Sequence, residues 1–266
     1  MNKLRELVPI ILGAIAPVVI TILLIIYFKK KEIMKISMKE YNDKKEKIIK
    51  EFNEIKKSNV KVVSERKNIK TSINDPGENL FGTDKKKFNN AKKINLKSFN
   101  NIIELNEKDL TVDVESNITF EKLINFLHKY NYQPVFTVDM NHISIGGLIC
   151  GVGGGSACAK NGAFHDSVID MDVLTSEGKV LHCSRKKNKN LFYSMPNSYG
   201  SLGYIIRAKI KIEIVKPYVK VDNYYFDNSE EYFNKILEFQ GEKEKETYDF
   251  IEGTIFDKKS FVLMVG

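Results

Sequence analysis

The sequence predicts an α+β protein of 266 residues, one apolar helix ahead of a strand-rich body, with an α/β unit opening near its end. Three observations predict this. Val8 to Phe28 contains no charged residue. From Val60 onward, short β-branched runs bounded by turn residues outnumber helical patterns. Between them, Ile143 to Phe164 carries seven glycines: Gly146, Gly147, Gly151, Gly153, Gly154, Gly155 and Gly162.

The run VPIILGAIAPVVITILLIIYF, residues 8–28, is long enough for a bilayer core, which takes about 20 apolar residues as a helix. Pro9 and Pro17 are tolerated in such a helix. A cleaved leader would have a shorter apolar core and a small-residue cleavage site. Here Tyr27 suits the interface, and Lys29, Lys30 and Lys31 suit the cytoplasmic side. Lys3 and Arg5 compete at the other end. The expectation is a single span over 1–28, its amino terminus outside the cytosol and the rest inside, at the endoplasmic reticulum in a eukaryote. Residues 29–58 are lysine-rich, with Tyr41, Ile48, Phe52 and Ile55 at helical spacings. They predict an exposed helical stalk, either solvated or drawn to anionic headgroups.

The body follows. VKVVSE, IKTSI, KKINL, NIIEL and LTVDV read as short strands. Thr119 is placed to cap a helix with Phe120, Leu123, Ile124 and Leu127 on one face, ended before Pro134. PVFTVDMNHISI reads as a strand entering the glycine-rich stretch. DSVIDMDVLTSEGKVLHC reads as a hairpin turning at Ser176–Gly178. Leu191 to Asn197 predicts a short helix, and YIIRAKIKIEI a half-buried strand. Beyond Val215 come YVKVDNYYF, a helix through Tyr232–Phe239, and strands at Asp249–Phe256 and Ser260–Val265.

Lys and Arg number 42 against 34 Asp and Glu, a net +8 and a pI near 9.1. This balance fits nucleic acid or an anionic membrane surface. The basic stretch has no interleaved aromatics and no known module, which argues against nucleic acid. Cys150, Cys158 and Cys183 lack C-x-x-C spacing, so neither a disulfide framework nor a metal site is expected.

Four glycines within five positions, 151 and 153–155, cost entropy in any packed element. Their usual use is a row of backbone N–H groups turned to one side, a concavity for an anion such as a pyrophosphate. Glycine content alone also fits a mobile surface loop. The flanking strand patterns favour the anion site. Gly151 and Gly153 supply G-x-G, but Ser156 holds the third position and Gly162 interrupts any long helix. A dinucleotide fingerprint of the strand–turn–helix kind is therefore rejected. So is a Walker A loop, which needs Gly-Lys-Ser/Thr.

The order ISIGG, glycine loop, hairpin, LFYSMPNSYGSLGYI resembles the FAD-binding domain of the vanillyl-alcohol oxidase/PCMH flavoenzymes. Within that superfamily it is most similar to the Δ24-sterol reductase branch, whose members carry an amino-terminal membrane anchor. The resemblance runs from about Val60 to the end. It implies two α+β subdomains with FAD between them, over 59–215, and the incomplete start of a substrate cap over 216–266. It implies cofactor contacts at Ile143, Ser144, Ile145, Gly146 and Gly147. Further contacts are implied at Val152, Gly153, Gly154, Gly155, Ser156, Ala157, Lys160, Asn161, Gly162, Ala163 and Phe164. Gly200, Gly203, Ile205 and Ile206 would close the other side.

Two departures qualify this. The family's first phosphate loop falls at Ser72–Gly77, which has one glycine and the acid Asp75. Some relatives tether FAD to a histidine there; no histidine occurs between Asn59 and Leu127, so FAD would be noncovalent. His142 and His165 read as structural, and no catalytic residue is assigned. The resemblance implies a membrane-anchored FAD-dependent oxidoreductase, passing electrons from NADPH through FAD to a sterol-like alkene. With the cap cut at Gly266, it would not reduce sterol alone. The alternative is a membrane-tethered flavin-fold protein without turnover.

Overall fold

The computed structural model describes residues 2–58, 62–64, 92–138, 140–241 and 247–266, with side chains undescribed at 2–16, 23, 26–36, 63, 64 and 93. IKTSI and the Ser72–Gly77 loop lie outside the described residues.

Helix α1 spans Asn2–Lys57 without a break. Among the described residues no helix is long and apolar enough to cross a membrane. Most side chains of Val8 to Phe28 lie outside that description. The helix is as expected over 29–57, but its surroundings are not. Tyr41, Ile48 and Phe52, expected on an exposed stalk, are buried against Ile94, Leu96, Phe99, Ile103, Leu174 and Ile206. The lysines fill the faces left over, so lysine density concealed a docking stripe.

The stripe packs on an antiparallel sheet. Its strands are β3 (Ile102–Asn106), β4 (Thr111–Glu115), β6 (Val168–Leu174), β7 (Val180–Ser184) and β8 (Tyr204–Ile214). Their order is β3-β4-β8-β6-β7, and β5 (Tyr132–Pro134) pairs with the far end of β8. The short β1 (Val62–Ser64) and β2 (Lys92–Ile94) form a separate parallel pair. Along β8, Ala208, Ile210 and Ile212 enter the larger core, which also holds α2 (Phe120–Leu127) and α3 (Ile145–Cys150). Thr119 caps α2 as predicted, accepting from Lys122 N at 3.2 Å.

The opposite face of the sheet carries charge as well as the α1 stripe. A bulge between Asp172 and Val173 shifts the register against β8. Both Ile206 and Arg207 then serve the α1 side. Arg207 Nη1 donates to Asp170 at 2.7 Å and lies 3.4 Å from Asp113. Its Nε lies 3.9 Å from Asp172, and the Tyr41 hydroxyl donates to that same carboxylate at 2.5 Å. Lys44 donates to both oxygens of the buried Glu115. Four segments thus satisfy one another's charges, as burial requires.

The carboxy-terminal unit has its own small core. Strands β9 (Asp222–Phe226), β10 (Ile251–Asp257) and β11 (Ser260–Val265) form an antiparallel sheet in the order β10-β11-β9. Helix α6 (Ser229–Gln240) covers it with Tyr232 and Phe239 against Phe261, Leu263 and Val265. Asn228 caps α6 by accepting from Glu231 N.

Candidate anion-binding site

Among the described residues no strand leads directly into the glycine-rich stretch. Ser144 makes an isolated bridge with Thr119, then caps α3 by accepting from Gly147 N at 3.2 Å. The hydroxyl competes with the ladder for the backbone, and a helix begins where alternation suggested a strand. Gly146 sits against the end of β4, where its N–H donates to Ser116 O at 2.7 Å. A Cβ there would lie 3.1 Å from Ser116 Cβ.

Helix α3 ends in a left-handed turn. Gly153 N donates to Leu148 O, and the residue between, Val152, adopts φ +54. Glycine is the customary residue at this left-handed position, and a β-branched side chain there is a genuine outlier. Gly151 before it has φ −99 and ψ 2. Adjacent right- and left-handed residues are the geometry of an anion-binding nest.

The amides of the loop alternate in their use. Gly151 N donates to Gly147 O, Gly153 N to Leu148 O, and Gly155 N to Cys158 Sγ. Those of Val152, Gly154 and Ser156 donate to no acceptor among the described residues. Bonded and unbonded N–H groups therefore alternate along the loop.

The glycines sort by what a side chain would meet. A Cβ on Gly155 would lie 2.5 Å from Thr137 O, and one on Gly153 2.7 Å from Leu148 Cδ2. Both are glycine so that the loop can pack. At Gly154 the nearest atom would be Cys158 Sγ at 4.0 Å, in open space and without positive φ. A substitution at Gly154 therefore meets no left-handed backbone strain. What glycine preserves there is outward access to the peptide.

The second expected segment comes alongside. Tyr199 N donates to Cys150 O at 3.2 Å, and its ring lies 3.9 Å from the Cβ position of Gly151. Asn197, Tyr199 and Gly200 all have positive φ, as does Gly203. Such strain is held by its surroundings and gathers at functional sites. Tyr199 and Val152 remain partly exposed, at 47% and 37%.

Other expected contacts serve different ends. Ile145 and Phe164 are fully buried, Phe164 edge-on to both Phe120 and Phe136. Ile205 and Ile206 are buried in the two cores on opposite sides of β8. Ala157 is buried, Ile143 packs against the larger core, and Asn161 Nδ2 donates to Val135 O. Gly162, at φ +75, and the amide of Ala163 fit around Asp166. These residues shape the loop from behind.

Lys160, on α4 (Cys158–Asn161), is paired with Asp249 of the carboxy-terminal unit, and Lys216 Nζ donates to the same carboxylate at 2.9 Å. These two hydrogen bonds hold the Asp249 carboxyl below its ordinary range. Ser156 O also accepts from Ile251 N at 3.0 Å. Sequence reasoning missed this clasp because its partners lie 89 residues apart with no shared periodicity. His142 is exposed beside Glu121, and His165 Nε2 lies 3.8 Å from Asp166; neither faces the glycine loop's outward amides by any bond.

Part of the chain is similar to known proteins. Residues 58–184 match the family described as FAD binding domain. The chain is 30% identical to cytokinin dehydrogenase 1 of Arabidopsis thaliana over 153 residues, 57% of this chain and 26% of that protein. It is 27% identical to Delta(24)-sterol reductase of Homo sapiens over 155 residues, 58% of this chain and 30% of that protein. A Delta(24)-sterol reductase homolog of Caenorhabditis elegans is 27% identical over 166 residues, 59% of this chain and 31% of that protein. The chain thus spans less than a third of the length of these relatives.

Proposed function

We propose that this chain, which through residues 58–184 belongs to the FAD binding domain family, binds FAD noncovalently at the Gly151–Gly155 loop and serves an FAD-dependent oxidoreductase. The observation that carries the reading is the alternation of amides, with the Val152, Gly154 and Ser156 N–H groups bonded to no acceptor among the described residues. A diphosphate needs such donors, and the open space at Gly154 lets it approach the backbone. When bound, FAD supplies the electron-transfer chemistry while the protein binds and orients it. The Tyr199–Gly200 turn supplies a partly apolar wall beside the loop. Lys160 supplies no free charge, because Asp249 holds it. The noncovalent mode follows from the absence of histidine between Asn59 and Leu127.

The substrate class proposed is a sterol-like alkene, reduced with NADPH as donor. Its support is the likeness to Delta(24)-sterol reductases. The likeness to cytokinin dehydrogenase supports a second reading, in which substrate is oxidised. A membrane anchor at residues 1–28, with the body on the cytosolic side, is proposed from the uncharged Val8–Phe28 run and the lysines after it. The test uses the purified full chain under anaerobic conditions. FAD should be recovered on denaturation; bleaching of the flavin by NADPH and its restoration by a Δ24 sterol would support the first reading. Bleaching by a cytokinin instead supports the second reading. Absence of flavin from folded protein overturns both.

A further inference from the structure

We propose that Asp249 is a positioning residue for the cofactor loop, through which the carboxy-terminal unit fixes the geometry of Gly151–Gly155. The inference rests on the FAD reading for its functional meaning, and on three ties for its structure. Lys160, five residues after Gly155, is paired with Asp249. Lys216, two residues beyond the end of β8, donates to the other oxygen of the same carboxylate. Close to Lys160 in the chain, Ser156 O accepts from the N–H of Ile251, the first residue of β10.

Asp249 is itself fixed. Its N–H and that of Phe250 both donate to Gly266 O, at 2.6 and 3.0 Å, and Gly266 N returns a bond to Phe250 O. The carboxylate is thus mounted on the edge of the small sheet. Behind it, Tyr248, Phe250 and Ile251 line a narrow gap against Ala159 and Lys160, with Phe239 of α6 closing the end. The loop needs such outside support. Its own side chains are small, Val152 is in a left-handed conformation, and α4 is only four residues long. A loop that must present alternate amides to an anion gains affinity when its geometry is set in advance.

A competing role for Asp249 has the opposite sign. If it merely shielded Lys160 from the cofactor phosphates, its removal would free a cation and tighten binding. If it positions the loop, removal loosens binding. Both groups are partly exposed, Lys160 at 35% and Asp249 at 48%, so screening keeps the effect moderate.

The experiment titrates FAD into the full chain, stripped of flavin, as wild type, Asp249→Asn, Lys160→Met and the double variant. Glu252→Gln, an exposed carboxylate on β10, controls for the charge change. Asp249→Asn and Lys160→Met should each weaken FAD about three- to ten-fold, and the double variant no more than the stronger single. Glu252→Gln should leave the affinity unchanged. In parallel, amide hydrogen exchange across residues 151–162 without FAD should speed up in Asp249→Asn and not in Glu252→Gln. Tighter FAD binding, additive singles, or unchanged exchange in Asp249→Asn overturns the proposal. Failure of wild type to bind FAD overturns the functional reading instead, and the exchange measurement still decides the clamp.

Discussion

Asp113 shows how a single residue sets conditions on the fold. Its carboxyl is almost wholly buried, and that burial pushes it up to about 6 despite the pull of Arg207 and Lys209. One of its oxygens, Oδ1, makes no hydrogen bond. An unfolded chain releases the same proton near pH 4. Between about pH 4 and 6 the folded chain therefore holds the extra proton, and stability falls as pH rises through that window. Asp172 acts in the other direction. Burial pushes it up, but Arg207 and the hydrogen bonds from Tyr41 and His182 outweigh that and leave it lowered. Its contribution is present above about pH 4 and lost on acidification. Asp113→Asn removes the first effect alone. The variant should gain on wild type by on the order of 2 kcal/mol as pH is raised from 4.5 to 7.5, read by urea unfolding at each pH. A variant that loses ground over that range would contradict the assignment. Composition gives no hint of this, since a strand aspartate beside an alternating Arg and Lys reads as solvent-facing. Arg207 and Lys209 instead turn to Asp113 in the folded sheet.

At the scale of elements, α1 is where sequence and structure diverge most. The spacing of Tyr41, Ile48 and Phe52 correctly indicated a helix, and correctly marked one apolar face. What covers the face was hidden, because Ile94, Leu96, Phe99, Ile103, Leu174 and Ile206 come from separate segments of the chain. Burying a phenylalanine is worth about 1.5–3 kcal/mol, and truncating one in a core costs about 3–5 kcal/mol. Phe52→Ala should therefore lower the unfolding free energy by about 3 kcal/mol or more in chemical denaturation. On a solvated stalk the same change would stay within about 0.5 kcal/mol. The hairpin joins this contact, as Asn53 Nδ2 donates to Gly178 O in its turn. Other elements were plain from local signals. The Thr119 cap, the Ser176–Gly178 turn and the alternation along β8 each have a short-range physical cause. The strand expected before the glycine loop failed for an equally local reason, the capping hydroxyl of Ser144.

Over the whole molecule, three packed regions meet at one loop. The larger core holds its back through Phe164 and Leu148, β4 holds its entry through Gly146, and the carboxy-terminal unit holds its exit through Asp249 and Ile251. The glycine run and the Gly200 turn stood out as a candidate site because glycine at such density has few other uses. The division of labour among them was not. Gly153 and Gly155 yield to packing and Gly154 to access, a distinction that depends on Leu148 and Thr137 lying just behind. Phe164, Ile205 and Ile206 entered the expected site through the family resemblance. Their side chains serve the cores.

That distinction gives the central claim its most direct measurement, the flavin content of Gly154→Val against wild type after gel filtration, with thermal unfolding of each without FAD. The protein has room for the new side chain, since nothing lies within 4 Å of the Cβ position except Cys158 Sγ at 4.0 Å. The account predicts unfolding temperatures that agree within a few degrees, a wild type that retains FAD, and a variant that has lost at least ten-fold in affinity, about 1.4 kcal/mol. A folded variant retaining FAD at the wild-type stoichiometry and affinity would contradict it, and would remove the Gly151–Gly155 loop from the site.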